Sequence, residues 1–399
     1  MKQIAILGAT GSIGLNTLEV LDLNTDRFSV FALTAHKNVK KMMELCIKWS
    51  PKYAVMMDDD AAEILDSRLK SSNLKTKVLS GNDGCCFVAS DESVDVVMSA
   101  IVGSPGLKPT YSAAESGKTI LLANKESLVI SGRILLECVK KNNARLIPVD
   151  SEHNAIFQCL APELQNNIGD CKLSDFGVEK IILTGSGGPF LSRDVQTFNK
   201  ITLEETLKHP NWNMGSKISV DSATMMNKGL EYIEAKWLFN ADESQIDVII
   251  HPESIIHSMV SYKDGSVLAQ MGNPDMKTPI SYAINYPKRF YSGVEPLDFM
   301  KFNQLNFLKV DFRRYPCLKL AIDACHCGQA KTTGLNAANE VVVASYLKRK
   351  IKFNDIYKMN QQVYDLIDAS IEIQSVNDLL RLDKEVRALT TELLIEYEQ

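Results

Sequence analysis

Two acids one residue apart, Asp150 and Glu152, stand in Pro148-Val149-Asp150-Ser151-Glu152-His153-Asn154, between two apolar runs. Carboxylates are oxygen donors, the ligands that hard divalent cations take. In an extended backbone, residues i and i+2 project to the same side, about 6.5–7 Å apart at Cα, so both side chains can converge on one cation. The same residues also read as a helix start, with Ser151 as cap and Glu152 in the positive first turn. On this segment alone both readings stay open, and a third carboxylate decides between them. The stretch Ile218–Glu231 offers one, because Ser222, Asn227 and Lys228 lie close to Glu231. Three such donors suit a phosphate dianion, whereas Glu231 calls for a cation. Upstream, Gly185-Ser186-Gly187-Gly188-Pro189 leaves its backbone open to an anion. His209-Pro210-Asn211-Trp212-Asn213-Met214-Gly215 sets an indole among polar residues and breakers, a composition that suits a lid closing over substrate.

The elements that must position these groups read as an α/β chain. Strand Gln3–Leu7 runs into Gly8-Ala9-Thr10-Gly11-Ser12-Ile13-Gly14 and a helix Leu15–Leu23. Strand, glycine-rich turn and helix are the context in which backbone N–H groups hold a pyrophosphate. The second strand, Phe28–Thr34, ends in Ala35-His36-Lys37-Asn38. An NAD site places an acid there for the ribose 2′-hydroxyl. Here no acid follows and Lys37 brings a fixed positive charge, which favours the 2′-phosphate of NADP. Strands at Tyr53–Met57, Lys77–Leu79, Val94–Met98, Thr119–Leu122 and Arg145–Val149 continue a Rossmann-like, doubly wound sheet. Ala123-Asn124-Lys125-Glu126-Ser127 then faces the cofactor cleft, with helix capping by Asn124 as the alternative.

The expected domains are 1–150 for cofactor binding and 151–285 for an α+β catalytic unit. A linker spans 286–311, and a C-terminal helical bundle spans 312–399. Strands Glu179–Thr184 and Asp247–Ile250 and a hairpin Ser258–Met271, turning at Asp264-Gly265, belong to the catalytic unit. Helices at Ala337–Leu347, Asn354–Ile367 and Val376–Tyr397 belong to the bundle.

With 399 residues, 45% hydrophobic and 23% charged, the chain has the makeup of an ordinary soluble protein of several domains. A net charge of −5 gives no support for nucleic acid or an anionic membrane as partner. No apolar run approaches the roughly 20 residues of a membrane span. Nine cysteines, one more than an even set, read as reduced thiols in a cytoplasm.

Several of these stretches, in this order, closely resemble the 1-deoxy-D-xylulose 5-phosphate reductoisomerase family. They are Gly8–Gly14, Leu122–Ser127, Pro148–Ala155, Leu183–Pro189, His209–Trp212 and Asp221–Glu231. The resemblance implies metal ligands at Asp150, Glu152 and Glu231, and phosphate donors at Ser186, Ser222, Asn227 and Lys228. It implies further substrate contacts at Lys125, Ser151 and His209, and an NADPH site at Thr10, Gly11, Ser12, Ile13, Asn38, Asn124, Glu126 and Gly215. His36 departs from the small residue or arginine expected beside the 2′-phosphate. The implied reaction is rearrangement of a phosphorylated ketose to a branched aldehyde, then reduction by NADPH, in a homodimer. Oxygen ligands suit Mg²⁺ and Mn²⁺ alike, with Co²⁺ a third candidate. Two other classes compete. A metal-independent NADP dehydrogenase of a phosphorylated semialdehyde shares the first domain, but needs a cysteine nucleophile or an acid–base residue instead of three acids. A non-catalytic NADP sensor leaves the polar density at 209–231 without a purpose.

Overall fold

The computed structural model describes residues 1–212 and 214–398. In chain order its elements begin β1 (Lys2–Leu7), α1 (Ser12–Asp22), β2 (Phe28–Ala35), α2 (Val39–Trp49), β3 (Tyr53–Met56), α3 (Asp59–Ser71), β4 (Lys77–Ser80) and α4 (Gly81–Ser90). Next come β5 (Val96–Ser99), α5 (Leu107–Glu115), β6 (Thr119–Leu122), α6 (Lys125–Lys141), β7 (Arg145–Pro148), α7 (Ser151–Cys159), α8 (Pro162–Asn166) and β8 (Val178–Gly185). Then follow α9 (Leu203–Thr206), α10 (Ser216–Thr224), α11 (Met226–Leu238), β9 (Ile246–Ile250), β10 (Ile256–Tyr262), β11 (Val267–Met271) and α12 (Lys277–Asn285). The chain ends with β12 (Leu308–Lys309), α13 (Pro316–Cys327), α14 (Gln329–Leu347), α15 (Phe353–Leu366) and α16 (Val376–Glu398). Two compact units form: Met1–Ser127 with Leu135–Asn154 and Met276–Glu295, and Leu128–Ile134 with Ala155–Asp275 and Pro296–Gln399.

The first unit is built on a seven-stranded parallel sheet in the order β4-β3-β2-β1-β5-β6-β7. Its central strands β1, from Ile4 onward, and β5 are buried runs, as expected for a sheet covered on both faces. Strand order reverses beside β1, which pairs with β2 on one side and β5 on the other. Ligands of such sheets sit at the carboxyl ends of the strands flanking this switch point. Gly8 leaves β1 there with φ +88, and a Cβ on it would lie 2.5 Å from the Ala100 carbonyl oxygen just beyond β5. The glycine turn is shorter than the sequence suggests, for α1 starts at Ser12, three residues early. Gly14 therefore lies inside the helix, where a side chain would come within 2.4 Å of the Gly8 carbonyl oxygen.

The second unit holds a mixed five-stranded sheet, β11-β10-β8-β9-β12. Only β8 and β9 pair in parallel, and the hairpin β10–β11 turns through Gly265 at φ +88, as its Asp-Gly pair indicates. The segment 286–311 contributes β12, which pairs with β9. Helix α14 begins eight residues before the expected start at Ala337. Its early turns are almost wholly buried, so no apolar stripe marks them in the sequence. Phe190, Phe198, Val220 and Ala223 share one apolar core with Val342, Val343, Tyr346 and Phe353 of the C-terminal helices.

Candidate functional site

In the first unit, the β1–α1 turn presents Thr10, Gly11, Ser12 and Ile13, all exposed or half-buried. It is tied to the end of β2 by two bonds: Gly8 N–H to Thr34 Oγ1 at 2.9 Å and Ala9 N–H to the Thr34 carbonyl at 2.7 Å. Gly11 caps α1 without a side-chain bond, so the turn offers main-chain donors to an anion. Beyond β2, His36, Lys37 and Asn38 are all exposed. Asn38 caps α2 by accepting from Lys41 N–H at 3.0 Å. Lys37 is ion-paired with Asp58 at 3.0 Å. Its hydrogen bond, together with the N–H of Ala61, holds the Asp58 carboxyl below its usual range. Sequence reading finds no acid after β2, yet the sheet brings one in from the neighbouring strand end. The signal was available, because consecutive strands of a doubly wound sheet set their carboxyl ends side by side.

Asn124 behaves as the capping alternative requires. Its Oδ1 accepts from Ser127 N–H at 2.7 Å, and its Nδ2 donates to the carbonyls of Ile101 and Gly103. Lys125 and Glu126 follow it in the first turn of α6, and both are buried.

The carboxylates do not sit on extended backbone. Helix α7 starts at Ser151, so Asp150 closes the strand-to-helix turn and Glu152 falls in the first helical turn. Asn154 fastens that turn by donating to the Pro148 carbonyl at 2.8 Å. Asp150 and Glu152 nonetheless each offer an oxygen within 4.8 Å of the other. Ser151 donates to Glu152 Oε2 at 2.5 Å, and Lys125 Nζ lies 2.5 Å from Asp150 Oδ2. Burial pushes the Asp150 carboxyl up, but Lys125 and His153 outweigh it and hold the group far below the usual carboxylate range. A depressed value means that its charge is lost only in strong acid, so Asp150 stays ionised across about pH 5–8.

The second unit carries Ser186, His209, Trp212, Gly215, Ser222, Asn227, Lys228 and Glu231. Gly188, at φ +68, presses against α10: a Cβ there would lie 2.8 Å from the Ser222 carbonyl oxygen. One on Gly185 would lie 3.1 Å from Lys228 Cε. The glycine loop thus touches both helices that bear the expected phosphate donors. His209 Nδ1 accepts from Asn211 N–H at 3.2 Å and Trp212 N–H at 3.0 Å. In the neutral ring the proton is then on Nε2, which stands 3.0 Å from Ser186 Oγ and donates to it. Gly188 N–H, at 3.1 Å, also donates to Ser186 Oγ, which keeps its own proton for another acceptor. The Trp212 ring leans on His257, centroids 6.0 Å apart; His257 is a neighbour that sequence reading missed. Asn213 of the expected lid lies outside the described residues. Gly215 is the N-cap of α10.

Glu231 is fully buried on α11, where Asn227 Nδ2 donates to its Oε1 at 2.5 Å and Lys228 is ion-paired with Oε2. Two expected phosphate donors are thus turned onto an expected metal ligand. A buried carboxylate must be neutralised, and the nearest donors on its own helix do it.

Models of the 1-deoxy-D-xylulose 5-phosphate reductoisomerase family match residues 4–132, and two of its C-terminal domain models match 146–239 and 271–389. A curated 1-deoxy-D-xylulose 5-phosphate reductoisomerase of Aliivibrio salmonicida is 56% identical over 397 residues, covering 99% of each chain. A crystal structure of a DOX-P reductoisomerase in complex with NADPH, fosmidomycin and magnesium superposes with TM-score 0.95 at 43% identity, covering all of both chains. The Zymomonas mobilis enzyme in complex with NADPH gives 0.89 at 41% identity, over 98% of this chain and 99% of that one.

Replacing Lys228 by alanine should leave Glu231 with less compensation for its buried charge. The expected loss is about 3–5 kcal/mol of folding stability. Urea unfolding checks it, and a loss under ~1 kcal/mol would mean that the pair is not what neutralises Glu231.

Proposed function

Because the chain belongs to the 1-deoxy-D-xylulose 5-phosphate reductoisomerase family, we propose a function in the terms of that family's chemistry. The protein is an NADPH- and divalent-metal-dependent reductoisomerase. It converts 1-deoxy-D-xylulose 5-phosphate to 2-C-methyl-D-erythritol 4-phosphate in the non-mevalonate isoprenoid pathway. The observation that carries this reading in the chain itself is the pair Asp150 and Glu152, two carboxylate oxygens within 4.8 Å of one another at a sheet's carboxyl edge.

In this proposal Asp150, Glu152 and Glu231 hold Mg²⁺ or Mn²⁺. An all-carboxylate donor set fits such a hard ion. When bound, the ion supplies Lewis-acid stabilisation of developing oxyanion charge, and NADPH supplies the hydride. The remaining work belongs to side chains. Lys125 keeps Asp150 ionised, and Ser151 orients Glu152 through its 2.5 Å bond. Ser186, Ser222, Asn227 and Lys228 bind the substrate phosphate, with the spare Ser186 proton directed to it and His209 fixing the serine. Release of Asn227 and Lys228 from Glu231 follows once a cation takes over its charge. Trp212 belongs to a lid that excludes water, driven by remote phosphate-binding energy. Thr10–Ile13, His36, Lys37, Asn38, Asn124, Glu126 and Gly215 form the NADPH site, and Asn124 serves it through the backbone it braces.

The domains proposed are 1–150 for NADPH, 151–285 for catalysis and 312–399 as a helical support, joined through 286–311. Among the described residues no helix is long and apolar enough to cross a membrane. All nine cysteines are free, which supports a cytoplasmic location. Edge strand β11 exposes Val267 and Leu268, which supports a homodimer.

The deciding experiment is NADPH oxidation with 1-deoxy-D-xylulose 5-phosphate, run with Mg²⁺ or Mn²⁺ and again with chelator. Turnover should require metal, and Glu231→Gln should lose activity by orders of magnitude while NADPH binding stays nearly intact. Metal-dependent turnover at the parent rate in that variant would remove Glu231 from the site.

Cofactor choice makes a second test. NADPH should exceed NADH in kcat/KM, and Lys37→Ala should reduce the preference by roughly one decade, the worth of one charge-assisted contact. An unchanged preference would assign the discrimination elsewhere.

A further inference from the structure

Asp221 is a carboxylate with 1% exposure on α10, one residue before Ser222. Its Oδ1 accepts from Asn339 Nδ2 of α14 at 2.8 Å, and its Oδ2 lies 3.0 Å from Lys217 Nζ. Asn339 Oδ1 in turn accepts from Asn360 Nδ2 of α15 at 2.9 Å. Both asparagines are completely buried. A polar chain therefore runs through three helices and ends beside the proposed phosphate donors.

We infer that Asp221 and Asn339 are positioning residues for phosphate recognition: their hydrogen bond sets the rotation of α10 and so the aim of Ser222. The inference rests on the reductoisomerase reading above. Apolar contact alone could hold the helix, since Val220 and Ala223 already pack against Val342, Val343 and Tyr346. Such packing is non-directional, whereas a hydrogen bond weakens steeply as its angle closes. Burying a carboxylate is costly, and apolar residues of similar volume often hold helices as well. The charged arrangement thus contributes orientation more than adhesion. The consequence reaches further along the chain. Helix α10 ends at Met225 in the left-handed conformation, φ 59, and α11 starts at the next residue. One residue joins the two helices, so turning α10 also shifts Asn227 and Lys228. The glycine loop bearing Ser186 is packed against the Ser222 carbonyl with no room to follow.

The test is Asn339→Leu, which keeps the volume and removes the bond, with Asp221→Asn as a milder second variant. Losing a bond to a charged group should raise KM for the phosphorylated ketose about tenfold in the first and about threefold in the second. kcat should change less than the KM. Inorganic phosphate, as a competitive inhibitor, should weaken in parallel with KM. A lower melting temperature with KM unchanged would overturn the inference, as would a raised KM with the inhibition constant of inorganic phosphate unchanged. If Asn339→Leu does not fold, a parental KM in Asp221→Asn overturns it as well. Failure of the parent protein to turn over the ketose phosphate would instead strike the functional reading, leaving the two outcomes distinct.

Discussion

An ionised carboxylate in a dry place needs a countercharge, and much of this molecule follows from that requirement. Asp150 answers it with Lys125, Glu231 with Lys228 and Asn227, and Asp221 with Lys217 and Asn339. Lys125, Asn227 and Lys228 are among the residues proposed to meet the substrate, and Asp221 adjoins Ser222, another of them. Each of the three acids is paired with a lysine, and Glu231 and Asp221 each take a further bond from an asparagine. On the proposed assignment, phosphate donors and a metal ligand are interleaved along α11. Asn227 and Lys228 neutralise Glu231, and on that assignment substrate and metal would separate their roles.

The fold serves this electrostatic arrangement by placing polar groups where backbones end. Asp150 closes the turn after β7, and the glycine turn follows β1 at the reversal of strand order. Asn124 spends its side chain bracing backbone, which keeps α6 and its Lys125 in place. On the other sheet, the loop after β8 and the α10–α11 pair are packed so closely that glycine alone fits at position 188.

Much of this was legible from residues. Strand-length apolar runs and a glycine-rich turn suffice to announce a doubly wound sheet, and the donor density around 222–231 marks a polar site. What escaped reading did so for definable reasons. At Asp150–Glu152 the extended and helix-start readings stay open in the sequence, because period-two spacing and a helix start look alike over three residues, and the structure takes the helix start. The start of α14 was hidden because a helix buried on every side has no stripe. Asp58 is recoverable only from strand order, which sets it beside Lys37, while Asn339 acts through Asp221, 118 positions away, and no local pattern connects those two.

The interleaving of the two units has a bearing on how the chain is made. Six alternating stretches build them, and the last piece of the first unit, ending at Glu295, emerges 295 − 154 = 141 residues after the piece before it. At ordinary elongation rates of about 5–20 residues per second, that is a wait of roughly 7–28 s. During it the seven strands are all available, but α12 is absent from α1, and Phe290 has yet to cover Arg27, 3.6 Å from its ring in the finished protein. All seven strands of the first unit are therefore synthesised long before the stretch that completes its flank. Ribosome-associated chaperones would meet the unit at that stage, and a gene cut at residue 154 would release it unfinished.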